Sequence, residues 1–315
     1  MKKVDLNYYP GWRRKLISFT IDDGNLKLDR KFLELVRPAG ILGSFNLCSN
    51  TINESNAEEY RELYRGYEIT NHAKLHPLAT PDGRELIMKD EPFDPETADP
   101  AYVYPSPKRP GFFMIYTSKW LNATDDENYL RLVREGKREL EEAFGVEIRD
   151  FVWPYGRQKN EYLYNILKSE YRSIRGSVCR DFELPRDRSN WGYYATYQNL
   201  AERAAAFDAL PDDGTIKAFV FGVHSHDFEN ASRWDVLIDF CKKYGNRPED
   251  FYYARVGDMF DIEDAIKAAV VTEEGIENPS DIPLYATVDG VRVVVAPRSV
   301  YKFELDLSQY PGIYE

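Results

Sequence analysis

The stretch KLISFTIDDG, residues 15–24, decides the fold class of this chain. The segment KLISFTI is mostly apolar and β-branched and predicts a buried strand, and the polar turn DDG follows it directly. Residues 28–37 have the periodicity of a helix, which Pro38 ends. A buried strand, a polar turn and a helix form the unit from which α/β proteins with a parallel sheet are built.

The same alternation continues to about residue 269. Further strands are predicted at 44–47, 67–70, 151–155, 216–223 and 251–256, and further helices at 57–65, 130–144, 162–167, 234–241 and 258–269. Residues 80–110 contain seven prolines and no clean period, which predicts a long excursion from the sheet. Beyond residue 272 the sequence changes to short strands around an Asp289-Gly290 hairpin turn. We therefore predict a domain over residues 1–271 and a small β appendage over residues 272–315.

Composition and charge exclude several functions. The 315 residues are 43% hydrophobic and 14% aromatic, which excludes a disordered chain. With 41 basic and 53 acidic residues the net charge is −12, so the surface as a whole would repel nucleic acid and anionic lipid. No apolar run approaches the roughly 18 residues of a membrane helix. The amino terminus has no apolar stretch typical of a secretory signal, so we expect a cytoplasmic protein, or a secreted one already processed.

The four histidines occur as two close pairs, His72 with His76 and His224 with His226. A spacing of four in NHAKLHP allows two imidazoles to converge on one metal ion if the segment makes a turn, although two polar loop residues would give the same pattern. The segment has no glutamate between the histidines and is therefore not the HExxH motif of zinc proteases.

Asp22 and Asp23 follow the first strand at its carboxyl end, where α/β proteins place their active groups. Adjacent carboxylates repel each other, and a cation would relieve that repulsion. Asp23 with His72 and His76 makes a two-histidine, one-carboxylate set that suits zinc, cobalt, nickel or iron, and three protein ligands leave positions open for catalysis. Asp22 would then accept a proton from water, and a histidine of the second pair would protonate the leaving group.

These residues resemble the motifs of the polysaccharide deacetylases with the NodB-homology fold, carbohydrate esterase family four. TIDDG at 20–24 resembles the first motif, HAKLHP at 72–77 the second and WPYG at 153–156 the third. DRSNW at 187–191 is similar to a variant of the fourth motif, and VH at 223–224 to the fifth. The resemblance extends from about residue 15 to residue 268.

The resemblance implies a distorted (β/α) barrel of about seven parallel strands, followed by the β appendage. It implies that Asp22 is the catalytic base and that Asp23, His72 and His76 bind a divalent metal, which we expect to be zinc, with cobalt or nickel as alternatives. It further implies that the backbone N–H of Tyr155 stabilises the oxyanion and that His224 is the general acid.

The sequence departs from the family pattern in the third and fourth motifs. Val152 occupies the position of an arginine that orients the catalytic aspartate. Arg175, at the end of the next predicted strand, either replaces that arginine or lies on the surface. Asn190 replaces an acid in the fourth motif, which leaves Asp187 to orient the general-acid histidine.

Three further positions have alternative interpretations. His224 is preferred to His226 as the acid because it ends the apolar run. Trp191 is interpreted as packing against that histidine, with a core tryptophan as the alternative. A set of aromatic residues in the excursion is the first candidate for a substrate-shaping lid: Tyr102, Tyr104, Phe112, Phe113, Tyr116 and Trp120.

The resulting hypothesis is a metal-dependent hydrolase that removes acetyl groups from N-acetylated or O-acetylated glycans. One alternative is a hydrolase of cyclic imides or other non-sugar amides on the same fold, since relatives of that kind often lack the motif-three arginine. Another is a carbohydrate-binding barrel without activity. A glycosidase is disfavoured because neighbouring carboxylates such as Asp22 and Asp23 cannot easily flank a glycosidic bond.

Overall fold

The structure is a computed structural model that describes residues 2–79, 123–156, 160–176, 179 and 181–303, and the backbone of three strands between residues 85 and 117. The strands, in chain order, are β1 (Val4–Asp5), β2 (Lys15–Asp23), β3 (Gly43–Leu47), β4 (Glu68–Asn71), β5 (Leu78–Ala79), β6 (Glu85–Lys89), β7 (Val103–Pro105), β8 (Phe113–Thr117), β9 (Ala123–Thr124), β10 (Asp150–Val152), β11 (Ser173–Arg175), β12 (Lys217–Val223), β13 (Phe251–Tyr253), β14 (Val270–Val271), β15 (Gly275–Asn278), β16 (Leu284–Val288), β17 (Val291–Val295) and β18 (Ser299–Lys302). The helices are α1 (Leu26–Val36), α2 (Ala57–Leu63), α3 (Asp126–Phe144), α4 (Glu161–Glu170), α5 (Leu200–Asp208), α6 (Ser225–Asn230), α7 (Trp234–Tyr244) and α8 (Val256–Ala268).

A parallel sheet of seven strands forms the centre of the molecule. Its order is β11-β10-β4-β3-β2-β12, and β13 pairs with the amino-terminal half of β2. Residues 191–195 run between the two outer strands: Trp191 makes a parallel bridge to Arg175 of β11, and Ala195 makes one to Phe221 of β12. The sheet therefore curls into a distorted (β/α) barrel, as the family resemblance implies.

Strand β2 is deeply buried, because its residues from Leu16 to Ile21 are all inaccessible to solvent or nearly so. Phe19 lies at the centre of an aromatic cluster, with its ring centroid 5.0 Å from that of Phe32 and 5.4 Å from that of Phe45. A Cβ atom on Gly43 would lie 2.4 Å from the ring and the carbonyl oxygen of Phe19. A side chain at position 43 would therefore force β2 and β3 apart.

Several element boundaries differ from the sequence-based predictions. The strand predicted at 151–155 ends at Val152, and Pro154–Gly156 forms a short 3-10 turn instead. The excursion predicted over 80–110 contains regular structure, since β6, β8 and β7 form an antiparallel sheet. The third strand, β8, lies just beyond residue 110, and of the three strands only β7 contains a proline.

The carboxyl-terminal region is built from two small antiparallel sheets, β14-β15-β18 and β1-β16-β17. The predicted hairpin at Asp289 and Gly290 is confirmed, with φ angles of 52° and 83° at the two turn residues. The first strand of the chain pairs with β16, and the Trp12 indole N–H donates a hydrogen bond to the Ala286 carbonyl at 2.8 Å. The amino terminus therefore anchors this region, and the division of the chain at residue 272 stays a prediction.

Within the described ranges, none of the helices combines the length and the apolar character that crossing a membrane requires.

Candidate active site

The register of the parallel sheet brings the predicted site residues to one edge. Asp22 of β2 is paired with Asn46 of β3, and Asp23 with Leu47. The next strand, β4, ends at Asn71, immediately before His72. Because the carboxyl ends of parallel strands meet at the same edge of a sheet, residues from distant parts of the sequence become neighbours there.

Asp23, His72 and His76 converge as a candidate metal site. The Asp23 Oδ1 atom lies 3.6 Å from the Nε2 atom of His72 and 3.7 Å from that of His76. Ligands of one tetrahedral zinc ion, each about 2.0–2.2 Å from the metal, are separated by about 3.4 Å. Among the described residues, neither Oδ1 of Asp23 nor Nε2 of His72 has a hydrogen-bond partner, although both atoms are buried. Unpartnered buried polar atoms are costly, and a divalent cation between them would remove that cost. The three residues therefore fit a metal ion.

The hydrogen bonding of His72 and the pKa of His76 suit this role. His72 Nδ1 lies 2.9 Å from the Val152 carbonyl oxygen and donates to it, so Nε2 is the ring nitrogen that faces Asp23. Burial and the neighbouring His72 lower the pKa of His76 to about 4, so His76 is neutral at pH 7. Burial alone would raise the pKa of Asp23, but the imidazoles of His72, His224 and His76 hold it well below its ordinary value.

The loop that carries His72 and His76 is held in an unusual backbone conformation. Ala73, Leu75 and His76 all have positive φ angles, of 61°, 68° and 48°. Such angles are uncommon in residues other than glycine and persist only where the surroundings enforce them. The two histidines therefore converge through a left-handed loop.

Buried contacts to helix α3 enforce this loop conformation. The Asn71 side chain donates to the Val133 carbonyl at 2.9 Å and accepts from the Ala73 amide at 2.9 Å. A Cβ atom on Gly136 would lie 2.8 Å from the carbonyl carbon of Ala73 and from the amide nitrogen of Lys74. Only glycine at position 136 allows the helix to approach the loop so closely.

Asp22 lies beside the metal site and is held by two donors. Its Oδ1 atom accepts hydrogen bonds from the guanidinium of Arg175 and, at 2.6 Å, from the side-chain amide of Asn46. Burial raises the pKa of Asp22, but the charges of Arg175, His72 and His224 outweigh burial and lower it. Asp22 is therefore ionised and oriented, as a general base must be.

Arg175 contacts Asp22 in place of the arginine that the third motif predicts at position 152. The two residues are register partners on adjacent strands, β10 and β11. Arg175 is only 2% exposed, so the surface alternative is excluded. The arginine expected in the third motif is thus supplied from the neighbouring strand.

Asn46 is a site residue that the sequence reasoning missed. It is buried and also donates to the Thr20 hydroxyl at 2.7 Å. The available signal was a polar residue within the apolar strand segment SFNL, which is a common indication of a buried hydrogen-bonding role.

His224 faces Asp23 from the opposite side, at the end of β12. Its Nε2 atom lies 3.7 Å from Asp23 Oδ2, and its Nδ1 atom lies 3.0 Å from Asp227 Oδ2. Burial lowers the pKa of His224, but the Asp227 hydrogen bond and the charges of Asp22 and Asp23 outweigh burial and raise it to about 9. The ring is therefore protonated at pH 7 in the metal-free site.

Asp227, and not Asp187, is the carboxylate that orients His224. Asp227 also accepts a hydrogen bond from the backbone amide of His224 at 3.1 Å. Asp187 is exposed and accepts hydrogen bonds from the Tyr164 hydroxyl and the Ser189 amide, both at 2.9 Å. The sequence suggested Asp187 from the fourth motif, whereas the start of α6 places Asp227 one helical turn after the histidine, within reach of its ring.

Trp191 is a core residue. Its indole N–H donates to the Ser173 hydroxyl at 3.3 Å, and its ring packs edge-to-face on Phe260 with 5.6 Å between centroids. The alternative interpretation, a core tryptophan, therefore replaces the interpretation that Trp191 packs against the general-acid histidine.

Tyr155 lies next to the metal site. Its ring centroid is 4.4 Å from that of His76, and its φ angle is 62° within the Pro154–Gly156 turn. The turn is fixed at its start, because the Trp153 amide donates to the Arg175 carbonyl at 3.0 Å. The Tyr155 ring thus lies against His76, a residue of the candidate metal site.

The predicted aromatic lid cannot be placed. Tyr102, Phe112 and Trp120 lie outside the described residues, and the side chains of Tyr104, Phe113 and Tyr116 do as well. The lid stays a prediction.

A protein-family model described as polysaccharide deacetylase matches residues 11–174, more than half of the chain. The chain belongs to the polysaccharide deacetylase family. The matched range of this family member includes Asp22, the candidate metal site and Tyr155, and it ends just before Arg175 and the segment that carries His224. No curated protein matches the sequence.

Three solved structures illustrate the likeness of this family member to others. The Xyl-CE4 domain of a multidomain xylanase from the hindgut metagenome of Trinervitermes trinervoides is 15% identical, with a TM-score of 0.45 and coverage of 80% of this chain and 93% of that domain. The peptidoglycan deacetylase PdaC from Bacillus subtilis is 13% identical, with a TM-score of 0.46 and coverage of 81% and 94%. A family 4 acetyl xylan esterase from Clostridium thermocellum, solved with a cobalt ion, is 15% identical, with a TM-score of 0.45 and coverage of 79% and 92%.

Proposed function

We propose that this protein is a metal-dependent hydrolase that removes acetyl groups from N-acetylated or O-acetylated poly- or oligosaccharides. The observation that carries the proposal is the convergence of Asp23, His72 and His76 between the ionised Asp22 and the protonated His224. Within the described part of the chain, Asp23 Oδ1 and His72 Nε2 have no hydrogen-bond partner. Membership of the polysaccharide deacetylase family supports the substrate class.

The metal site and the base prepare the attacking water. A divalent cation at Asp23, His72 and His76, for which zinc is our first choice and cobalt or nickel the alternatives, would polarise the acetyl carbonyl and acidify a water molecule. Asp22 accepts a proton from the attacking water as the water oxygen bonds to the carbonyl carbon. Arg175 and Asn46 hold the Asp22 carboxylate in one orientation, so little reorganisation is needed for the proton transfer.

The remaining groups stabilise the tetrahedral intermediate and protonate the leaving group as that intermediate breaks down. The backbone N–H of Tyr155 is proposed to donate to the developing oxyanion, and one such donor is typically worth about 3–4 kcal/mol. His224 then gives its Nε2 proton to the departing nitrogen or oxygen as the bond to the acetyl carbon breaks. The products are acetate and a free amine or hydroxyl on the sugar. Asp227 keeps Nδ1 of His224 engaged, so that Nε2 is the atom that faces the site.

The structure weakens the reason for the imide-hydrolase alternative. That alternative depended on the missing motif-three arginine, and Arg175 now supplies an arginine to Asp22. Metal analysis of the purified protein addresses the carbohydrate-binding alternative, because a barrel that has lost its chemistry has no need for the metal.

The test is deacetylation of acetylated chitin and xylan oligosaccharides, with release of acetate as the readout. We expect a chelator to abolish acetate release and added zinc or cobalt to restore it. Asp22→Asn should bind the metal with unchanged affinity and lose most turnover, whereas Asp23→Asn should lose metal and turnover together. Normal turnover by Asp22→Asn would show that the base has been wrongly assigned, and activity on small imides alone would favour the alternative.

A further inference from the structure

The second histidine pair lies against the other face of Asp23. The rings of His224 and His226 stack with 4.6 Å between centroids and 23° between planes. One ligand atom from each of Asp23, His224 and His226 lies within 4.8 Å of the others. The described part of the chain thus holds two histidine pairs that share one carboxylate.

The two oxygens of Asp23 face different histidines. Oδ1 lies 3.6 Å from His72 Nε2 and 3.7 Å from His76 Nε2, whereas Oδ2 lies 3.7 Å from His224 Nε2. A carboxylate whose two oxygens face different imidazoles has the arrangement of a carboxylate that bridges two metal ions. The ligand atoms of Asp23, His224 and His226 lie within 4.8 Å of one another, so they would have to approach by up to about 1.4 Å to reach the roughly 3.4 Å between ligands of one zinc ion.

Asp227 completes the pattern of a metal-binding histidine. Its Oδ2 atom engages Nδ1 of His224 at 3.0 Å, so Nε2 is the atom left for a ligand. A carboxylate behind the imidazole is the usual support of a histidine that binds zinc. His226 is 37% exposed, so a cation can reach this side of the site from solvent.

We infer that Asp23 Oδ2, His224 and His226 form a second divalent-cation site, which binds zinc more weakly than the site of Asp23, His72 and His76. The affinity is lower because His226 is half-exposed, and because the bridging carboxylate already shares its charge with the first ion. The consequence for catalysis rests on the proposed function: a cation on His224 Nε2 occupies the atom that donates the proton, so excess zinc inhibits the enzyme.

The test is a calorimetric titration of the metal-free full-length protein with zinc alone, combined with metal analysis of the loaded protein. We expect two equivalents, with the second bound at least about tenfold more weakly than the first. His226→Asn should reduce the stoichiometry to one equivalent and leave the tight site unchanged. Asn230→Ala, on the same helix α6, is the matched control and should still bind two. His76→Asn should weaken the tight site and retain the weak one.

Activity measurements then test the consequence. Acetate release by the natural protein should fall as zinc exceeds one equivalent, and His226→Asn should keep its basal rate and resist this inhibition. A single equivalent in the natural protein, or a second equivalent that survives His226→Asn, would overturn the second site. Absence of acetate release from every protein would overturn the proposed function while leaving the two-zinc titration intact.

Discussion

Arg175 and Asp22 form an ion pair across the interior of the barrel, although β10, β4 and β3 separate their strands in the sheet. The pair connects the end of β11 to the end of β2 and fixes the orientation of the base. Because Val152 is the register partner of Arg175, the arginine has moved by one strand relative to the family motif while its contact with the aspartate is retained.

Replacing Arg175 should impair the base without emptying the metal site. In Arg175→Gln the pKa of Asp22 rises because its main opposing charge is lost, so the acid limb of the pH–rate profile should move to higher pH. We expect kcat to fall by about 100-fold, with zinc affinity unchanged. Arg188→Gln, which removes an arginine from the ion pair with Glu263 outside the site, is the control. An unshifted acid limb in Arg175→Gln would contradict the assignment.

Asp227 should matter for proton donation, and Asp187 should not. Asp227→Asn removes the hydrogen-bond partner that raises the pKa of His224, so the alkaline limb of the pH–rate profile should move to lower pH. We expect kcat to fall by about 10- to 100-fold with KM unchanged. Asp187→Asn should have natural kinetics in the same assay. The reverse result, with Asp187→Asn impaired and Asp227→Asn normal, would restore the assignment suggested by the fourth motif.

A methyl group on Gly136 should disturb the histidine loop. In an unconstrained helix, Gly→Ala stabilises by up to about 1 kcal/mol. In Gly136→Ala the added carbon lies 2.8 Å from the loop backbone, so we expect a net destabilisation of about 1–3 kcal/mol and zinc affinity lowered at least about tenfold. Thermal unfolding and calorimetry measure both effects, and Arg138→Ala on the exposed side of α3 is the control. Increased stability with unchanged zinc binding would mean that the loop accommodates the methyl group freely.

Glu68 should make the stability of the fold depend on pH. At the amino ends of the strands it accepts hydrogen bonds from the Ser44 hydroxyl and the Gly257 amide and shares the Arg172 guanidinium with Asp150. Burial, and then the charge of Asp150, raise the pKa of Glu68 to about 7. The folded state therefore retains a proton that the unfolded chain loses above about pH 4.5.

The pH dependence of the free energy of unfolding tests this assignment directly. Between about pH 4.5 and 7 the native state binds more protons than the unfolded state, so the free energy of unfolding should fall as pH rises, by about 1–3 kcal/mol. Glu68→Gln should flatten that dependence in urea unfolding measured at several pH values. Glu58→Gln, which alters an exposed carboxylate, should leave it unchanged. An equally steep slope in Glu68→Gln would assign the proton to another group.

The sequence predicted a parallel α/β sheet and the five groups at the centre of the candidate site, and its resemblance to a known family implied the barrel. Each of these groups follows a predicted strand: Asp22, Asp23, His72, His76 and His224. The carboxyl ends of parallel strands must meet at one edge of the sheet. Their convergence could therefore be expected before any coordinates were known, because it depends on the order of elements and not on detailed packing.

The tertiary structure decided which partners those groups have. Asn46 and Arg175 reach Asp22 because of strand register, and Asp227 reaches His224 because a helix begins directly after β12. The left-handed turn around Ala73 depends on the close approach of Gly136 from a helix far along the chain. Contacts of this kind require distances accurate to an ångström between segments that are remote in sequence, and the periodicity of residues along a chain contains no such distances.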